Sequence, residues 1–186
     1  MRGRCRMTVL EFKTRDSLDR FGLKGPRAAE WLTAHGIPVP MAPNTWAGAA
    51  AAEDDAILVA RLGAGEFFLE DCVGGTTLRG IEPAPEAHPA GVYPVLREDA
   101  AFVLSGERSL DVLAQVCNVN FADLALATHP VIMTSMIGVS VLVVPRDLGA
   151  ERHYRIWCDP TFGPYLEESL GTVVSECGGN YRGVSA

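Results

Sequence analysis

The chain has 186 residues, 48% of them hydrophobic and 21% charged, with a formal net charge of −7 and a pI near 5.1. That balance argues against a non-specific nucleic-acid binder, whose affinity rests on Lys and Arg neutralising phosphates, and no apolar run reaches the roughly 18 residues a membrane-spanning helix needs. The length suits one ordinary domain or two small fused halves, able to remove about 70% of the unfolded surface from water without staples.

The basic cluster Arg2, Arg4 and Arg6 lies in a flexible N-terminus, residues 1–8, and Glu11 and Lys13 interrupt the apolar run that a signal peptide would require. Met1 and Met7 both stand as candidate starts. Val9 to Lys13 and Arg20 to Lys24 read as strands, and Pro26 to His35 as a helix with Ala28, Trp31, Leu32 and His35 on its apolar stripe and Gly36 as its stop. Three prolines between Ile37 and Pro43 exclude regular structure there. Asn44-Thr-Trp46 and the alanines up to Ala52 are ambiguous. Asp55 to Arg61 and Glu66 to Glu70 are strands joined by the turn Leu62-Gly-Ala-Gly65.

From Cys72 to Gly91 no period survives, and this Gly- and Pro-rich stretch is the seam between two halves. Tyr93 to Leu96 and Ala100 to Leu104 are strands, followed by a helix from Glu107 to Cys117 that offers Leu110, Val112, Leu113 and Val116 to a core. Strands at Val131 to Met136, Val139 to Val144 and His153 to Cys158 precede a final helix over about Thr161 to Cys177, and residues 179–186 are a tail.

One stretch recurs. Phe21, Leu23, Gly25, Arg27 and Leu32 match Phe102, Leu104, Gly106, Arg108 and Leu113 at a single offset of 81 (102 − 21). Each copy alternates apolar positions, places a Gly and changes to helical spacing, the pattern of a half-buried strand running into a helix. Leu62-Gly63-Ala64 and Leu148-Gly149-Ala150 agree at an offset of 86 (148 − 62). The reading is an α+β fold, an internally duplicated ββαββ unit with a closing helix. It forms one pseudo-twofold domain over 9–178 with halves 9–82 and 92–178. Phe21, Leu23, Phe102 and Leu104 are its expected core, and Arg27 and Arg108 its surface.

Chemistry is sparse. Gly63-Ala-Gly65 lacks the third Gly and the strand-to-helix context of a dinucleotide site. The four histidines, 35, 88, 129 and 153, show no metal-ligand spacing, so no metal site is expected. No Gly-x-Ser-x-Gly elbow exists. The five cysteines, 5, 72, 117, 158 and 177, are odd in number, far apart and without a C-x-x-C pair, as expected of free buried thiols in a cytoplasmic protein. Glu53-Asp54-Asp55 ahead of an apolar strand could hold a cationic amine, although a solvated turn suits three adjacent charges better.

With the repeat and that cluster assembled, the chain resembles the gamma subunit of heterotetrameric sarcosine oxidase, a small relative of the folate-binding domain of the glycine-cleavage aminomethyltransferase. The residues carrying the resemblance are Ser17 to Leu32, Pro43-Asn-Thr-Trp46, Leu58 to Leu69, the Ser105-Gly-Glu-Arg block and Trp157 to Leu170. The resemblance implies a non-catalytic subunit, with no catalytic residue of its own, in an amine-demethylating oxidoreductase. Its partners would be larger flavoprotein subunits, which carry FAD, FMN, NAD and tetrahydrofolate chemistry, and this chain would hold no cofactor by itself. It also places Asp54 and Asp55 near the folate-proximal amine site. The family's Tyr-Thr-Gly-Glu motif is replaced here by the Thr134 to Gly138 region, and its C-terminal barrel domain has no counterpart in this sequence. The alternative the resemblance leaves open is an autonomous folate-dependent one-carbon transferase or folate-binding protein.

Overall fold

The computed structural model describes residues 9–15, 17–48, 57–71, 75–81, 88–148 and 151–182. In chain order these form β1 (Glu11–Thr14), β2 (Arg20–Lys24), α1 (Ala28–Ala34), β3 (Thr45–Gly48), β4 (Leu58–Gly63), β5 (Glu66–Glu70), α2 (Thr77–Ile81), β6 (Tyr93–Leu96) and β7 (Ala100–Ser105). There follow α3 (Ser109–Val116), β8 (Ile132–Met136), β9 (Val139–Leu148), β10 (Glu151–Cys158), α4 (Gly163–Glu176) and β11 (Asn180–Arg182), with short 3-10 turns at Phe121–Asp123, Leu126–Thr128 and Pro160–Phe162. Contacts divide the chain into two compact units, one from residues 17–98 and 127–132, the other from the chain up to residue 16 with 99–126 and 133 onward. No helix among the described residues is long and apolar enough to cross a membrane.

The first unit is a five-stranded antiparallel sheet in the order β3-β4-β5-β2-β6. Phe21 lies opposite Leu69 and Leu23 opposite Phe67, so period-2 alternation puts these four on one face, with Val59 beside Leu69. That face packs with Ala28 and Leu32 of α1, Ile37, Leu78 of α2 and Val92. Burying each of the large side chains stabilises the fold by about 1.5–3 kcal/mol. Trp31 packs at the edge of this core, but His35 is exposed and leaves the expected stripe. Its ring lies tilted against Trp31, centroids 4.0 Å apart, and its Nδ1 donates to the Trp31 carbonyl, which also accepts the His35 N–H at the helix end.

The second unit is a six-stranded sheet in the order β11-β1-β7-β10-β9-β8, with β11 parallel to β1 and β7 antiparallel to both β1 and β10. Phe12, Phe102, Leu104, Tyr154 and Ile156 are fully buried, as are Val112 and Leu113 of α3 and Leu166, Leu170 and Val174 of α4. Leu110, an expected core residue, is only half-buried. Cys117, Cys158 and Cys177 are buried and unbridged.

The recurring stretch keeps its local geometry. Gly25 follows β2 with φ 126° and Gly106 follows β7 with φ 100°, both in a range that residues with a side chain rarely adopt. Space excludes one too. A Cβ on Gly25 would stand 2.2 Å from the Gly91 carbonyl oxygen, and one on Gly106 would stand 2.5 Å from that of Val9. The short strands β1 and β6, 82 residues apart (93 − 11), pair antiparallel with β7 and with β2 respectively. The strand nearest in sequence to each organising strand therefore belongs to the other unit, and unit boundaries differ from the boundaries of the sequence halves.

Three expectations change. The organising strands are buried on both faces, since Phe21 to Leu23 and Ala101 to Ser105 are continuously buried. The intervening positions are Gly22, Ala101, Val103 and Ser105, small or apolar, which is the composition of a strand covered on both sides rather than a half-solvated one. The proline-glycine seam contains α2. Finally, Asn180–Arg182 of the expected tail is a strand, held by the Asn180 N–H on the Leu10 carbonyl at 2.8 Å and by Tyr181 stacked on Phe12 at 5.7 Å.

Candidate functional site

Asp54 and Asp55, the sequence candidates for the amine site, lie outside the described residues, in the chain between the paired residues Gly48 of β3 and Leu58 of β4. The chemistry that the structure does display begins two residues before Gly48, at Trp46.

Trp46 is held by an exchange of backbone bonds. The Trp46 N–H donates to the His129 carbonyl at 2.8 Å, the Val131 N–H to the Asn44 carbonyl at 2.8 Å, and the Asn44 N–H to the Arg61 carbonyl at 2.7 Å. Thr45 and Pro130 form the bridge between the two segments. Both flanking residues are left-handed, Asn44 at φ 58° and His129 at φ 52°, conformations that Asn and His tolerate better than most side chains. The result is an imidazole lying over the indole, ring centroids 4.8 Å apart and planes 20° from parallel. Trp46 Nε1 is buried and has no hydrogen-bond partner among the described residues. The pair combines an imidazole, whose ring nitrogens can donate or accept, with an indole N–H that only donates. Sequence reading left Trp46 ambiguous and found no metal-ligand spacing around His129. The one signal available was the residue before proline, which disfavours helix but says nothing of a partner 83 positions away (129 − 46).

A cluster of charges in the same unit is spent on structure. Arg20 Nε donates to Glu70 at 2.6 Å with both side chains at most 4% exposed. Asp71 accepts the Leu78 N–H at 3.0 Å, satisfying an orphan donor in the first turn of α2. Arg79 closes onto Asp19, whose hydrogen bond and charge raise the guanidinium pKa further. Among the described residues no three His, Cys, Asp or Glu side chains are grouped so as to hold a metal ion.

In the other unit, Thr134 to Gly138 is a hairpin. Ile137 at φ 49° and Gly138 at φ 82° are the two central residues between β8 and β9, the left-handed pair that a type I′ turn requires. No carboxylate stands on this turn, so the residues present do not fit the folate contact made by the glutamate of the resembled motif. Beneath the hairpin, Cys117 bridges to Met136, and its sulfur lies 3.7 Å from Thr134 Oγ1. Leu113, Cys117 and Phe121 floor a cavity of about 380 Å³ rimmed by Asp111, Asn118 and Asn120.

No protein-family model matches the sequence, and no characterised protein matches it by sequence. Among solved structures, the glycine cleavage system aminomethyltransferase T of Bartonella henselae matches with a TM-score of 0.70 over 94% of this chain, at 14% identity. A heterotetrameric sarcosine oxidase from Corynebacterium sp. U-96, solved in complex with pyrrole 2-carboxylate, matches with a TM-score of 0.66 over 89% of this chain, at 21% identity. The chain is similar in fold to both. It spans 48% of the aminomethyltransferase chain and 83% of the sarcosine oxidase chain. The mixed α+β class with two sheets and few helices agrees with the fold resemblance drawn from the sequence.

Proposed function

We propose that this chain is a non-catalytic, gamma-type subunit of a sarcosine-oxidase-like, multisubunit amine-demethylating oxidoreductase, built as an internal duplication and working in the cytoplasm. The observation that carries the reading is the fold match to a heterotetrameric sarcosine oxidase chain, with a TM-score of 0.66 at 21% identity, against 14% identity in the aminomethyltransferase match. In this reading FAD, FMN, NAD and tetrahydrofolate belong to larger flavoprotein subunits, and the role of this chain is to hold them in place. Co-expression with the flavoprotein subunits of the same organism, followed by affinity purification through this chain, is the test. Coelution in fixed stoichiometry with the flavin absorbance is the expected result, and recovery of this chain alone would refute it.

The second reading, an autonomous folate-dependent one-carbon transferase or folate-binding protein, draws on the 94% coverage by the aminomethyltransferase fold. It assigns the amine site to Asp54 and Asp55. Calorimetric titration with tetrahydrofolate distinguishes the two, because saturable binding lost in Asp54→Asn or Asp55→Asn would establish this reading and its absence would remove it.

A further inference from the structure

The outward side of α4 and the 3-10 turn before it differ in two ways from β6, where Tyr93 and Leu96 are also exposed. Phe162 and Tyr165 are 52% and 51% exposed, and Pro164 between them is exposed as well. A turn of helix brings positions three apart side by side, so the two aromatic rings make one patch. The second difference is charge. From Ile156 to Tyr181 the chain carries four carboxylates, Asp159, Glu167, Glu168 and Glu176, and no Lys, Arg or His.

The patch is rigid rather than incidental. Asp159 accepts from the Thr161 backbone and hydroxyl, which lowers its pKa and fixes an ionised carboxylate at the start of the turn. Glu167 is held by the Tyr181 hydroxyl at 2.8 Å, and the Tyr165 hydroxyl reaches the Ile137 carbonyl of the hairpin at 3.3 Å. Solvent-exposed aromatics on a pre-ordered scaffold are the composition of a binding hot spot, because they add contact area at little cost in side-chain entropy. A rim of one sign steers a partner of the opposite sign.

We infer that Phe162, Pro164 and Tyr165, with the acidic rim of α4, form the surface through which this chain docks on a larger protein subunit, one presenting an apolar cleft bordered by Lys and Arg. The inference rests on the subunit reading above and names its contact face. The occupant is cationic at its rim because Glu168 and Glu176, on the same side of α4 as Tyr165 by helical spacing, favour a partner of opposite sign.

The test uses the full chain co-expressed with the flavoprotein subunits, comparing wild type, the double variant Phe162→Ser with Tyr165→Ser, Glu168→Lys, and Leu96→Ser. Leu96, 76% exposed on β6, is the control for an exposed apolar residue in the other unit. Thermal melts confirm that each variant is folded. The double variant is expected to weaken coelution by at least about tenfold, Glu168→Lys to weaken it and reduce its salt dependence, and Leu96→Ser to leave it unchanged. Wild-type-like coelution of the double variant would overturn the docking face while leaving the subunit reading intact. Failure of the wild type itself to coelute would overturn both. A wild-type homodimer that the double variant abolishes, seen by sedimentation, would show the occupant to be a second copy and overturn the inference.

Discussion

The Arg108 guanidinium donates through Nη1 to the backbone carbonyl of Cys177, the residue that caps the C-terminal end of α4. Arg108 sits just after the second organising glycine, so one side chain ties the start of α3 to the end of α4, while its Nε reaches Asp111 at 2.9 Å. A cation at a helix C-terminus meets unpaired carbonyls and the negative end of the dipole. Its sequence counterpart Arg27 donates through Nε to Glu30 at 3.2 Å, within the same helix turn. Arg108 is at the surface as the sequence suggested, but it is not idle there. Arg108→Ala is expected to destabilise by about 0.5–1 kcal/mol, and Arg27→Ala by less than about 0.5 kcal/mol. Urea denaturation of the two variants side by side gives the comparison, and equal midpoints would remove the capping role.

Phe102 is 1% exposed and stacks on Phe12 at 5.5 Å across the β1–β7 pair. Emptying such a site costs both the transfer free energy and a cavity, about 3–5 kcal/mol for Phe→Ala. The expected outcome for Phe102→Ala is a large drop in the denaturation midpoint at unchanged slope. A loss below about 1 kcal/mol, the size of an ordinary surface effect, would mean β7 is not central to its unit.

Gly106 and Gly36 separate backbone angle from space. Both have positive φ, 100° and 73°, but a Cβ on Gly106 would meet the Val9 oxygen at 2.5 Å and the Leu10 Cα at 2.8 Å, whereas one on Gly36 would meet nothing within 4 Å. Gly36→Ala is expected to cost about 1–2 kcal/mol, the left-handed penalty alone. Gly106→Ala must also push β1 away from β7, and it is expected to cost more and to abolish protection of the β1 amides in hydrogen exchange. Equal losses in the two variants would contradict the close approach of β1.

How much of this was legible in the sequence varies with the physics involved. Arg20–Lys24, Glu66–Glu70 and Tyr93–Leu96 stand where the apolar spacing put them; the first two are short and bounded by Gly and Asp, and the third begins two residues after Gly91. The glycines at 25 and 106 were legible as strand-to-helix turns for the same local reason. Strand partners were not. That β1 pairs with β7 and β6 with β2 depends on long-range register, to which local periodicity is blind. The two-sided burial of β7 is written in Ala101 and Val103, but the larger Phe102 and Leu104 dominate the local alternation. The Trp46–His129 stack depends on two left-handed residues far apart in sequence, and no local rule brings them together.

Tyr181 links the closing strand to α4, and its ionisation reports on that link. Burial first, and then the bond to Glu167, push its phenol up to about 12. A folded pKa above the unfolded value near 10 means that the folded state holds the proton more tightly. The stabilisation is therefore complete below pH 10 and is lost as the pH rises from 10 towards 12. Burial also raises the Tyr154 phenol, so ultraviolet titration should show two of the four tyrosines, 154 and 181, ionising late. Glu167→Gln is expected to bring Tyr181 only part of the way back, because burial is the larger cause. Complete return to 10 in that variant would mean that the carboxylate alone sets the shift.

Arg20 and Glu70 pose the sharpest test of what holds the first unit together. Their side chains are 4% and 2% exposed and 2.6 Å apart, across the β2–β5 pair where Arg20 lies opposite Glu70. Desolvating two ions cancels much of their attraction, so the pair is a weak source of net stability while intact. Removing one partner is different, since the other ion stays buried without its counter-charge, at a cost of about 3–5 kcal/mol. Glu70→Leu and Arg20→Met should each destabilise by that amount, while the double variant should lie within about 1–2 kcal/mol of wild type, having neither ion to desolvate. A double-mutant cycle by denaturation gives the coupling directly. Additive single effects would mean that neither charge depends on the other and that the close pairing is energetically silent.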